Sequence, residues 1–353
     1  MRKGAVIRFC AACVICITVL LYNISGIFER EEVNFSFPQN NFVLSAEEKE
    51  EETEKVTEKV PEKAPSTSTS SNKETTASKT EESVETSAKA IKGKILSQYI
   101  SPYKATTSYN NVYLKNSTGL KIDLKQLLNS NVSFKIKKNN EPQVLIIHTH
   151  ATETFMTENT DYFTEDFQSR SRDNSKNMVR IGKIVTEKLN SAGIKTLHDT
   201  TQHDYPNYTG SYSRAADTIC SYLKKYPSIK VVLDLHRDAV TSENGDKVKL
   251  TTEINGKKAA QVMLVMGSQS GSVTNFPDWK ENLKLAVKLQ QILEVKYPTL
   301  ARPLSLTSKN YNESLTKGSM LIEFGTDANT LQEAEYSATL VGNALAELLN
   351  GLR

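Results

Sequence analysis

From residue 144 to the C-terminus, short apolar runs alternate with stretches of helical period, and that alternation leaves few folds open. The runs at 144–147, 194–197, 231–235, 262–266 and 320–324 are dominated by Val, Ile, Leu and Met, the length and composition of buried strands. Between them, 178–192, 213–226, 283–295 and 331–349 carry apolar residues at helical spacing. The first does so as Met178, Ile181, Val185 and Leu189, with Gly193 as the stop signal. Strands separated by helices pair in parallel, so the sequence predicts an α/β domain over 141–353, a mostly parallel twisted sheet flanked by helices. A domain of that length can bury its own core. It has to, because Cys220 is the only cysteine after Cys16 and no intramolecular disulfide can staple it.

The amino-terminal part obeys different rules. Residues 9–28 contain no charge and match the length of a membrane-spanning helix. Arg2, Lys3 and Arg8 precede them and Glu29, Glu31 and Glu32 follow, which predicts a cytoplasmic tail at 1–8 and an extracytoplasmic remainder. No A-x-A-like cleavage site follows the apolar segment, so the expectation is an uncleaved anchor. Residues 45–92 are almost entirely Glu, Lys, Ser, Thr, Ala, Val and Pro, with no aromatic residue, Leu or Gly. Such a composition cannot offset ordering entropy, and 29–92 is predicted to be a disordered tether. Hydrophobic residues return at 93–140, with Val112, Leu114, Leu124, Leu127 and Leu128, as a small accessory subregion. The formal net charge of +3 and the lack of a basic stripe interleaved with aromatics exclude a nucleic-acid partner.

Chemistry is concentrated at the ends of the apolar runs, where α/β sheets place their ligands. His148, Thr149, His150, Ala151, Thr152 and Glu153 follow directly on 144–147. Within them, His150 and Glu153 form H-x-x-E, an imidazole and a carboxylate that a tight turn brings to one divalent metal. His236 follows 231–235 and Glu323 follows 320–322. His150, Glu153 and His236 are therefore candidate ligands for Zn2+, and Glu323 the candidate catalytic acid/base. His148 shares a face with His150 if the strand continues, and so either replaces it as a ligand or orients it from behind. Arg237 and Asp238 either orient ligands and bind substrate or form a structural ion pair. Tyr212 and Arg214, with His203, Tyr205 and Tyr208, suit contact with substrate, or equally a loop ordered by tyrosine packing. His198 reads as structural.

Four segments in order, VLIIHTHATETF, HDYPNYTGSYSRA, VVLDLHRDAV and LIEFGTDAN, resemble those of the stage II sporulation protein P family. These are membrane-anchored peptidoglycan hydrolases of endospore-forming bacteria. More distantly, Glu323, Gly325 and Asn329 sit at the spacing of the E-x-G-x-x-x-N segment of zinc-dependent N-acetylmuramoyl-L-alanine amidases, and H-x-x-E is the motif of zinc carboxypeptidases, whose fold is similar. The resemblance implies cleavage of the amide between N-acetylmuramic acid and L-alanine, with an added endopeptidase activity on peptide cross-links. It also implies septal thinning and forespore engulfment as the role. The partners implied are stage II sporulation protein D and a multipass membrane protein that localises both. In the amidases the metal carboxylate lies at the start of the following helix, where this chain has Ser175, Lys176 and Asn177. Glu153 takes that place by the H-x-x-E logic, with Glu158, Glu165 and Asp173 as substitutes. Competing readings are a non-catalytic wall-binding module and a zinc peptidase acting only on stem peptides.

Overall fold

The structure, a computed structural model, describes residues 90–353. The expected cytoplasmic tail, the membrane span at 9–28 and the tether up to residue 89 lie outside the described residues. Among the described residues no helix is long and apolar enough to cross a membrane.

In chain order the strands are β1 (Ile91–Gln98), β2 (Thr107–Tyr109), β3 (Val112–Asn116), β4 (Val144–Ile147), β5 (Tyr162–Thr164), β6 (Thr196–His198), β7 (Val231–Asp238), β8 (Lys247–Ile254), β9 (Lys257–Ala260), β10 (Val262–Gly267), β11 (Leu304–Thr307) and β12 (Ser319–Thr326). The α-helices are α1 (Leu124–Asn129), α2 (Met178–Ser191), α3 (Ser211–Lys225), α4 (Trp279–Lys296) and α5 (Leu331–Asn350). An eight-stranded sheet has the order β2-β3-β11-β10-β12-β7-β4-β6. Its pairs are parallel except β2–β3 and β10–β12. The architecture is thus mixed α/β with a mostly parallel sheet.

One consequence of β10 running against β12 governs the site. Strands β12, β7, β4 and β6 run one way, whereas β10, β11 and β3 run the other. The beginnings of β10 and β11 therefore lie at the same edge as the ends of β7 and β12.

All eight residues of β7 and of β12 are buried. That is the expectation for central strands covered on both faces. Met178, Ile181, Val185 and Leu189 of α2 lie fully buried in the principal core with Val341, Ala344 and Leu345 of α5. Ala215 and Ile219 of α3 pack with Leu145, Ile147 and Val232 on the opposite side of the sheet. The N-terminus of α5 is fixed by a capping box between Thr330 and Glu333.

A second sheet, β5-β1-β8-β9, was not expected from the sequence. Asn255 and Gly256 both have positive φ, 51° and 73°, the geometry of a two-residue hairpin turn that joins β8 to β9. Residues 93–140 do not stand apart. Strand β1 pairs with β8, and β3 extends the main sheet beside β11.

Candidate functional site

Successive residues of a strand point to opposite faces, so Asp234, His236 and Asp238 share one face of β7. Glu323 of β12 is the register partner of His236. Strand β4 stops at Ile147, the register partner of Asp234. The chain is then clamped, because Thr149 donates to Asp234 from its backbone N–H at 2.9 Å and from its hydroxyl at 2.6 Å. A turn follows in which the Glu153 N–H donates to the His150 carbonyl at 3.2 Å.

These constraints bring three side chains together. His150 Nδ1 lies 3.5 Å from Glu153 Oε1, and His236 Nδ1 lies 3.6 Å from Glu153 Oε2. One donor atom from each of His150, Glu153 and His236 falls within 4.8 Å of the others, and all three residues are buried. Two imidazoles and a carboxylate form a donor set suited to a divalent cation. The far nitrogen of each imidazole also has a neighbour. His150 Nε2 is 3.1 Å from the Ser211 hydroxyl, and His236 Nε2 is 2.9 Å from Asp234 Oδ1, though out of line for a hydrogen bond. Such neighbours aim the near nitrogens inward.

The electrostatics agree with a cation site. Burial alone would push the Glu153 carboxyl up, but Arg237, His150 and His236 hold it well below the usual carboxylate range. Burial would pull the His236 imidazole down, yet Asp234, Glu153 and Glu323 raise it to about 10. The carboxyl groups of Asp234, Glu153 and Glu323 thus surround the His236 imidazole.

Glu323 stands beside this cluster with its Oε2 buried and without a hydrogen-bond partner. Burial and Asp238 push its carboxyl up against the pull of His236 and Arg302, to about 8. The turn after it is fixed. Gly325 has φ 66°, and a Cβ there would meet Asn329 Oδ1 at 2.6 Å and the Ala260 Cβ at 2.7 Å. Asn329 accepts the Thr326 N–H at 2.9 Å and donates to Leu250 O and Glu333. The E-x-G-x-x-x-N spacing is thus a strand end followed by an asparagine-plugged turn.

The remaining candidates fall in distinct places. His148 points away from His150: its Nδ1 is 3.0 Å from Leu235 O and its Nε2 is 2.9 Å from His198 Nε2. The strand ends before it, so the two-residue alternation that would put both on one face does not apply. The Arg237 side chain binds the carbonyls of Thr154 and Ser169, bracing the loop that carries Glu153. Asp238 pairs with Arg302 at 2.9 Å and not with Arg237. Tyr208 stacks on His150 with centroids 4.7 Å apart, and Tyr212 lies parallel to His236 at 6.4 Å. Arg214 donates to the carbonyls of His203, Asn207 and Thr209 and so ties down its own loop. Glu158, Glu165 and Asp173 are exposed and outside the cluster.

Three residues near the cluster carry no motif in the sequence. Asp234 stands two residues before His236, on the same strand face. Arg170, which lies 3.7 Å from Glu153 and pairs with Asp204 at 2.5 Å, sits in a loop without a marker. Arg302 precedes its apolar run, whereas His236 and Glu323 stand at the ends of theirs.

The profile of the family Stage II sporulation protein P (SpoIIP) matches residues 17–346. A protein of Bacillus subtilis (strain 168) described as Stage II sporulation protein P is 28% identical over 218 residues, covering 58% of this chain and 50% of the relative. The chain therefore spans about half the length of that curated relative. Among solved structures, the CwlD amidase from Clostridioides difficile in complex with the GerS lipoprotein aligns over 59% of this chain and 99% of its own, with 10% identity and a TM-score of 0.38. The N-acetylmuramoyl-L-alanine amidase AmiC2 of Nostoc punctiforme aligns over 59% of this chain and 96% of its own, with 11% identity and a TM-score of 0.36.

Proposed function

The chain belongs to the stage II sporulation protein P family, and on that premise we propose that it is a zinc-dependent peptidoglycan hydrolase cleaving the N-acetylmuramoyl-L-alanine amide during sporulation. The observation that carries the reading is the buried convergence of His150, Glu153 and His236 beside the unpartnered oxygen of Glu323.

His150, Glu153 and His236 would hold the zinc, whose chemistry when bound is that of a Lewis acid that polarises a carbonyl and acidifies water. Glu323 accepts the proton of the attacking water and delivers it to the leaving amine. Its buried Oε2, without a hydrogen-bond partner, leaves it open to the reacting groups. Asp234 and Ser211 keep the imidazoles oriented, and Arg237 and Arg170 hold the Glu153 loop. The half-buried rings of Tyr208 and Tyr212 flank the cluster where the substrate arrives.

In this proposal residues 9–28 anchor the chain in the membrane of the sporulation septum with the hydrolase outside, as the charges on either side of that segment favour. Stage II sporulation protein D and a multipass localising protein act with it, and cross-link endopeptidase activity accompanies the amidase. The test is mass analysis of digested peptidoglycan. Release of free stem peptides beginning with L-alanine is expected. Cleavage confined to cross-links would make it a peptidase, and no release would leave a binding module.

A further inference from the structure

Arg302 is 2% exposed, yet two of its donors, Nε and Nη2, are buried without a hydrogen-bond partner. Its third nitrogen, Nη1, donates to Asp238 Oδ2 at 2.9 Å. Nε and Nη2 share one edge of the guanidinium plane, the edge that takes a carboxylate side-on through two parallel N–H···O bonds. Leaving such an edge unmatched in a protein interior is costly, and buried polar groups without partners are uncommon.

The topology says where this edge lies. Arg302 is adjacent to β10, its N–H bonding to Val262 O, and Val262 is the register partner of Phe324 on β12. Neighbouring strands are about 4.8 Å apart, so to reach Asp238 on β7 the side chain must cross β10 and β12. Asp238 shares the face of His236, hence Arg302 lies across the face that carries Glu323. The order along the sheet is β11, β10, β12, β7, which places Glu323 between the histidine cluster and the root of Arg302. A leaving amine that takes its proton from Glu323 carries its peptide toward that side.

We propose that the free edge of Arg302 binds a carboxylate of the substrate's peptide portion, one residue beyond the cleaved amide, and that Asp238 holds the guanidinium in place for it. The inference rests on the hydrolase reading above and deepens it. In a stem peptide the group so placed is the α-carboxylate of the γ-linked D-glutamate. Its carboxamide form presents one acceptor and one donor where the arginine offers two donors, and is disfavoured.

Two measurements on the full chain separate this from the parent reading. The first is binding of the dipeptide L-alanyl-γ-D-glutamate and of its α-carboxamide, which requires no turnover. The acid form is expected to bind at least about 10-fold more tightly, since a site built around a polar group rejects the mismatched analogue. Arg302→Gln should abolish that preference without altering metal content. Arg302→Lys, which keeps the charge near Asp238 but lacks the two-donor edge, should lose most of it and guards against misfolding of the first variant. Equal binding of acid and amide by the wild type, or a preference that survives in both variants, overturns the proposal. The second measurement is wild-type hydrolysis of the two matching N-acetylmuramoyl dipeptides. Hydrolysis of neither defeats the hydrolase reading, whereas equal hydrolysis of both leaves that reading intact and defeats the role of Arg302.

Discussion

Glu323 and His236 are register partners on adjacent parallel strands, yet their surroundings differ. His236 has a carboxylate oxygen beside each ring nitrogen, Glu153 Oε2 at 3.6 Å and Asp234 Oδ1 at 2.9 Å, while Glu323 Oε2 is buried without a hydrogen-bond partner. The first is placed as a ligand and the second as a base. Glu323→Gln keeps the shape and removes the proton acceptor, so the expected outcome is retained fold and zinc content with peptide release reduced by about 100- to 10,000-fold. Near-normal release would remove Glu323 from the reaction, and loss of zinc would make it a ligand.

Asp234 acts through His236. Its carboxylate bonds twice to Thr149 and lies 2.9 Å from His236 Nε2. Asp234→Asn retains bulk but removes the charge that orients the imidazole, and zinc affinity measured by chelator competition should weaken by about 10- to 100-fold. An unchanged dissociation constant would show that the ring is held by packing alone.

How much of this was legible in the sequence depends on which physical signal each residue carried. The central strands were readable because burial on both faces makes continuous apolar runs, and His236 and Glu323 sit within or directly after such runs. Strand polarity leaves no such trace. Nothing in 262–266 announces that β10 runs against β12, and so nothing marked Arg302, at the start of the next strand, as a neighbour of Asp238. His148 departs from the expected shared face for a different reason. Alternation predicts its face only while the strand lasts, and β4 ends at Ile147. The β8–β9 hairpin has its signal in the Asn255-Gly256 pair between alternating segments and not in an apolar run.

Gly182 lies inside α2, where replacing glycine by alanine usually stabilises by about 1 kcal/mol. Here the sign should reverse. A Cβ at 182 would fall 2.4 Å from His148 Nε2 and 2.5 Å from His198 Nε2, the two atoms that hydrogen-bond each other. Neither ring can withdraw without breaking that contact. Gly182→Ala is expected to lower stability by about 1 to 3 kcal/mol, the usual cost of overpacking, measured by urea denaturation. A gain would mean that the histidine pair moves freely.

The same pair sets a pH dependence. Burial, and for His148 the neighbouring His198, lower the two imidazoles to about 3 and about 4 from the ordinary 6.5. Above pH 6.5 neither the folded nor the unfolded chain protonates them, and they add no pH dependence. Between about 6.5 and 4 the unfolded chain takes up protons that the native pair refuses, so stability falls as the pH falls, by up to about 1.4 kcal/mol per unit for each site. His198→Gln keeps a hydrogen-bonding group opposite His148 and removes one titrating site. Between pH 7 and pH 5 the wild type should therefore lose about 2 kcal/mol more than this variant, by the same conversion. Because the metal ligands titrate alike in both proteins, the difference isolates the pair. Equal losses in the two denaturation series would mean that His198 is protonated in the native fold.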